Sequence, residues 1–140
     1  MECVIDTTVL IELWRNQRRP VVWLHIERAV GGRDIRLPWM AEAEFLRGAI
    51  YKRFDPEVVR AFLAPFDPLP ILRGHVRRVA ETAADIQRRG LEIGVADLWI
   101  AAAALEHGVP VVTRNSDHFN RVAGLQVLGY KLPPPTGSPQ

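Results

Sequence analysis

The chain has 140 residues, 48% of them apolar and 24% charged, with a formal net charge of +2. These values suit one domain with an adequate core, and no apolar run approaches the roughly 18 residues that a membrane-spanning helix needs. The single cysteine, Cys3, excludes an internal disulfide, and it has no Cys or His neighbour at zinc-ligand spacing.

Met1-Glu2-Cys3 leads directly into Val4-Ile5, without the basic start, apolar stretch and cleavage site of a secretory signal, so a cytoplasmic chain is expected. Cys3-Val4-Ile5 reads as a buried parallel strand that ends at an acid, Asp6. Thr7 or Thr8 then caps a helix with Val9, Leu10, Leu13 and Trp14 at helical spacing. A second helix follows Pro20, carries Val21, Leu24 and Ile26, and stops at Gly31-Gly32. Asp34 to Leu37 reads as the next strand. Pro38 opens a helix running to Tyr51 with Phe45, Leu46, Ala49 and Ile50 inward, and Asp55-Pro56 starts another to about Ala64.

Pro65 to Pro70 is a proline-broken connection, followed by Ile71-Leu72 and a helix from about Gly74 to Arg89 that Gly90 terminates. Ala96 to Glu106 is a helix rich in small residues that ends at Gly108, and Val109 to Thr113 is a strand before a polar turn. Val127-Leu128 closes the series as an edge strand. The alternation predicts an α/β fold with a central parallel sheet of four to five short strands and helices on both faces. One domain is expected over residues 1–132, and residues 133–140, rich in proline, glycine and serine, form a flexible tail.

In such sheets ligands bind at the carboxyl ends of strands. Asp6 ends the first strand and Asp117 lies just beyond Thr113, while Asp97 falls in the first turn of its helix and Glu42 and Glu44 near the start of the helix after Pro38; an acid in a first turn also complements the helix dipole. Carboxylates gathered in a cleft raise one another's pKa values unless a cation binds among them. Oxygen ligands without Cys or His clusters favour magnesium or manganese over zinc. The histidines, His25, His75, His107 and His118, are scattered, and only His118 lies close in sequence to a candidate acid. Of the 18 basic residues only Lys52 and Lys131 are lysines, a bias that favours bidentate phosphate contacts.

Val4-Ile5-Asp6-Thr7-Thr8-Val9-Leu10 resembles the hydrophobic-D-T-N-V-L opening of PIN domains. Glu44-Phe45-Leu46-Arg47-Gly48 is similar to their E-x-x-x-G helix, Gly94 to Ala102 to their G-x-x-D-x-x-I-A-A segment, and Val112-Thr113-Arg114-Asn115 to their V-T-R-N strand end. The four motifs stand in the family's order and resemble most closely the VapC toxins of bacterial toxin–antitoxin pairs. The resemblance implies a magnesium- or manganese-dependent endoribonuclease that cleaves cellular RNA and inhibits translation. It also implies a homodimer and a cognate VapB-like antitoxin whose tail enters the cleft.

Carried over residue by residue, the resemblance makes Asp6, Glu44, Asp97 and Asp117 the catalytic and metal-binding acids. Glu42 is excluded because two residues turn a helix by roughly 200°, away from Glu44. The usual asparagine after D-T is Thr8 here, and Thr113 matches a hydroxyl residue that supports the first acid. Asp117 stands one step earlier than in many relatives, so Asn115 rivals it for the fourth place. Arg114 and Arg47 are candidates for holding phosphate.

A strand-end aspartate also suits an aspartyl-phosphate phosphatase or a receiver domain. The first wants a second aspartate where Thr8 stands, and the second wants a lysine where Arg114 follows the late strand. The non-enzymatic alternative is a catalytically weak PIN scaffold acting as a dimeric protein- or RNA-binding module, with Trp14, Trp23 and Trp39 as candidate surface residues, at least one of them expected in the core.

Overall fold

The computed structural model describes residues 1–17 and 19–132, so the expected tail at 133–140 lies outside the described residues. One five-stranded sheet has the order β3-β2-β1-β4-β5, with every neighbouring pair parallel. The strands are β1 (Glu2–Ile5), β2 (Asp34–Leu37), β3 (Asp67–Pro68), β4 (Val111–Thr113) and β5 (Val127–Gly129). The helices are α1 (Thr7–Arg15), α2 (Pro20–Val30), α3 (Trp39–Tyr51), α4 (Pro56–Leu63), α5 (His75–Arg88), α6 (Val95–His107) and α7 (Ser116–Phe119).

Cys3, Val4 and Ile5 are all fully buried, as are Val111 and Val112. Successive strand residues face opposite sides, so burial of the whole run means that both faces of the sheet are covered, as expected. Burial also pushes the Cys3 thiol up to about 11, which leaves it an inert core group. Gly31 and Gly108 end α2 and α6 in the left-handed conformation, with φ of 62° and 67°. Among the described residues no helix is long and apolar enough to cross a membrane.

Several local expectations are corrected. The cap of α1 is Asp6 rather than Thr7 or Thr8: its carboxylate accepts from the Val9 amide at 3.3 Å. The inward stripe of α2 is Val22, Ile26 and Val30, which are four residues apart, and this leaves Val21 and Leu24 exposed. In α3 the same spacing selects Ala41, Phe45 and Ala49, and Ile50 is 74% exposed. The proline-broken connection contains β3, a two-residue edge strand, where a proline costs no ladder hydrogen bond. The polar turn after β4 is helix α7, anchored by the fully buried Phe119.

Trp14 is partly buried and packs against the core. It stacks on Phe54 at 5.1 Å between centroids and meets Phe62 at 5.2 Å and Phe45 at 5.7 Å edge-on, which joins α1 to α3 and α4. Trp23 and Trp39 stay more than one-third exposed, and Trp39 meets Trp99 at 5.7 Å.

Candidate active site

From β1 the chain builds outward through β2 and β3, then crosses back to place β4 and β5 on the other side of β1. Strand order therefore reverses between β1 and β4, and the crevice at their carboxyl ends is where a parallel sheet binds ligands. Asp6 and Thr113 stand on either side of it. The Thr113 hydroxyl donates to Asp6 Oδ2 at 2.7 Å, a bond that spans the reversal. The Thr8 hydroxyl donates to Asp6 Oδ1 at 2.6 Å. The Asn115 amide in turn donates to the Thr113 hydroxyl at 2.8 Å, so that hydroxyl accepts from one side and donates to the other.

Asp6 is only 1% exposed, and burial pushes its carboxyl up to about 6. The bonds from Thr8, Thr113 and the Val9 amide pull it back, and the charge of Asp97 pushes it further up. The Asp97 charge acts on Asp6 because the start of α6 is brought near the end of β1. On its other side Asp97 Oδ2 faces His118 Nδ1 at 3.4 Å.

Glu44 joins from α3, where its carboxylate accepts a hydrogen bond from the Thr7 hydroxyl, the residue next to Asp6. Glu42 points elsewhere, into an apolar cleft between α3 and α4, as the helix geometry requires. Asp117 is exposed on α7, and the Asn115 side chain is exposed beside it. Arg114 does not stand free: its guanidinium pairs with Glu12, whose side chain is only 13% exposed. Arg47 is exposed on α3.

Two residues of this rim have no sequence motif. Glu12 lies one helical turn after Thr8, on the same face of α1, and its carboxylate also accepts from the Asn16 side-chain carboxamide at 3.1 Å. Tyr130 follows β5; its amide donates to the Thr113 carbonyl at 3.2 Å, and its hydroxyl is buried without a hydrogen-bond partner among the described residues. Burial and the charges of Asp6 and Glu12 hold its phenol above the usual range. The four-residue spacing from Thr8 was the available signal for Glu12; Tyr130 had none.

The donor set suits a hard divalent cation, because a positive charge between Asp6 and Asp97 would reverse both effects that strain the Asp6 carboxylate. The expected convergence of four acids on one ion is not seen: among the described residues no group of three or more Asp, Glu, His or Cys side chains is placed to hold a metal together. A pair of carboxylates with water completing the shell is the arrangement magnesium tolerates best.

The PIN domain family model matches residues 3–125. A VapC ribonuclease from Sinorhizobium fredii is 30% identical over 135 residues, covering 89% of this chain and 94% of that relative. Ribonuclease VapC1 from Methanocaldococcus jannaschii is 28% identical, covering 92% and 85%. Among solved structures, VapBC2 from Rickettsia felis bound to a promoter DNA fragment superposes with a TM-score of 0.79 at 21% identity, covering 94% of this chain and 100% of that one.

Proposed function

The chain belongs to the PIN domain family, and from that premise we propose that it is a divalent-metal-dependent endoribonuclease, the toxin of a toxin–antitoxin pair in the cytoplasm. The observation that carries this reading is the buried Asp6 carboxylate, held by three donors at the strand reversal and raised in pKa by burial and, to a lesser degree, by the charge of Asp97. The relatives named as VapC ribonucleases support the reaction class, and the likeness to the VapBC2 structure supports an antitoxin partner.

Asp6 and Asp97 are the residues proposed to hold magnesium or manganese, with Glu44 and Asp117 acting through water. The ion, when bound, lowers the pKa of a water and neutralises charge that builds on the phosphoryl oxygens. The chain supplies the rest. Thr8 and Thr113 keep both Asp6 oxygens aimed. Thr7 fixes the Glu44 carboxylate where it can orient the attacking water and accept its proton. Glu12 holds the Arg114 guanidinium on the rim, where it can meet a non-bridging phosphate oxygen. A homodimer and an antitoxin tail that blocks this cleft complete the proposal, and RNA cleavage that inhibits translation is the cellular outcome.

Purified chain is expected to cleave RNA with magnesium or manganese and to stop when EDTA is added, and the Asp6→Asn variant is expected to lose most of its activity. Cleavage that survives EDTA would reject the metal. A catalytically weak, dimeric protein- or RNA-binding module is the second reading, favoured by the lack of a three-residue ligand group among the described residues. Metal-independent RNA binding without cleavage would select it.

A further inference from the structure

A second cleft, of about 750 Å³, opens beside Asp97 between the end of α5, the loop at residues 90–94 and α7. Ile86 and Leu98 line it together with Leu91 and Ile93, and Gln87 contributes a carboxamide that makes no hydrogen bond to any described residue. The volume lies in the usual range for ligand sites. His118 belongs to the same lining and faces Asp97, so the cleft begins where the acid site ends.

The loop wall is tied in place. The Arg121 guanidinium donates to the Glu92 carbonyl at 2.7 Å, and the Arg89 guanidinium donates to the Arg121 carbonyl while pairing with Asp85 at 2.8 Å. These bonds join α5, the loop and the segment after α7, so the cleft keeps its shape without a ligand. Arg121 and Glu92 balance within the lining, and Arg88 and Arg89 adjoin it in sequence, Arg89 being paired with Asp85.

We propose that this cleft is a nucleobase subsite that seats the base next to the scissile phosphate of single-stranded RNA, an inference that rests on the nuclease reading and deepens it. A splayed base needs apolar surfaces for its flat faces and amide or backbone groups for its polar edge. Leu91, Ile93 and Leu98 supply the surfaces, and the Gln87 carboxamide both donates and accepts. The larger cleft between α3 and α4 is apolar almost throughout and lies on the β2–β3 side of the sheet.

The test is cleavage of short RNA oligonucleotides carrying each of the four bases, or an abasic residue, on either side of the cut bond. The full chain is expected to lose about tenfold in kcat/KM when one flanking base is removed. Gln87→Ala and Leu91→Ala are expected to lose a similar factor on the intact substrate and to cleave intact and abasic RNA alike. A merely structural role would slow both substrates equally and preserve the discrimination, and that result overturns the subsite. So does a wild-type chain indifferent to the abasic residue. Gln87 is exposed, so its variant keeps the test alive if Leu91→Ala folds poorly. A wild-type chain that cleaves no RNA at all instead defeats the nuclease reading, and the subsite with it.

Discussion

The crevice at Asp6 and the aromatic half of the molecule around Trp14 share helices α1 and α3, yet they are held together by opposite means. At Asp6 a few directional bonds from Thr8, Thr113 and the Val9 amide fix one buried carboxylate. Around Trp14, the rings of Phe45, Phe54 and Phe62 fill space without any polar partner, and they back an apolar cleft of about 830 Å³ between α3 and α4. The same helix serves both: Glu44 reaches Thr7, while Leu46 and Ala49 line the apolar side. The acid crevice holds a carboxylate that burial strains when it is charged, and the aromatic half gains its stability from packing alone.

Asp6→Asn separates the two most sharply. Cleavage is expected to fall by about 10²–10³ or more, while circular dichroism stays native; a variant retaining a tenth of wild-type turnover would break the assignment. Trp14→Ala is the converse. It removes the hub of the aromatic cluster and is expected to cost about 3–5 kcal/mol in denaturant unfolding, with the activity of the remaining folded protein unchanged.

A third prediction concerns pH. Asp6 binds its proton more tightly folded than unfolded, because its carboxyl is raised to about 6 from 3.8. Its contribution therefore favours the fold fully below about pH 4 and is lost as pH rises through about 6, a change of about 3 kcal/mol. In EDTA, the stability of wild type relative to Asp6→Asn should decline across that window. Magnesium should restore it at neutral pH in wild type alone. Equal magnesium responses from the two proteins would remove Asp6 from the ion's ligands.

The smallest effect is expected from Thr113→Val, which deletes one donor to Asp6 and leaves the Asn115 amide without its acceptor. A loss of about 1–3 kcal/mol is expected, with the acid limb of the pH–rate profile moved upward because a bond that lowers the Asp6 pKa is gone. Thr113→Ser, which keeps the hydroxyl, should restore the wild-type profile; failure to do so would show that the methyl group, not the bond, matters.

Much of this arrangement was legible residue by residue. Strand β1 announces itself through Cys3-Val4-Ile5, the ends of α2 and α6 through Gly31 and Gly108, and the first acid through its place after a buried strand. The inward faces of α2 and α3 were read less well, because apolar residues there occupy more than one stripe. Packing against the sheet chose Val22 over Val21 and Ala49 over Ile50. Strand β3 was hidden because two residues carry no periodicity at all.

By itself, the sequence determined the parallel α/β alternation, the family motifs and the place of Asp6 directly after a buried strand. Only the tertiary structure decided who meets whom. It alone joined Thr113 to Asp6 across 107 residues and Arg114 to Glu12 across 102, placed Tyr130 beside both, and set the cleft at residues 86–98 against the acids. Local propensity acts over a turn or a strand, whereas those meetings follow from the order in which five strands lie side by side.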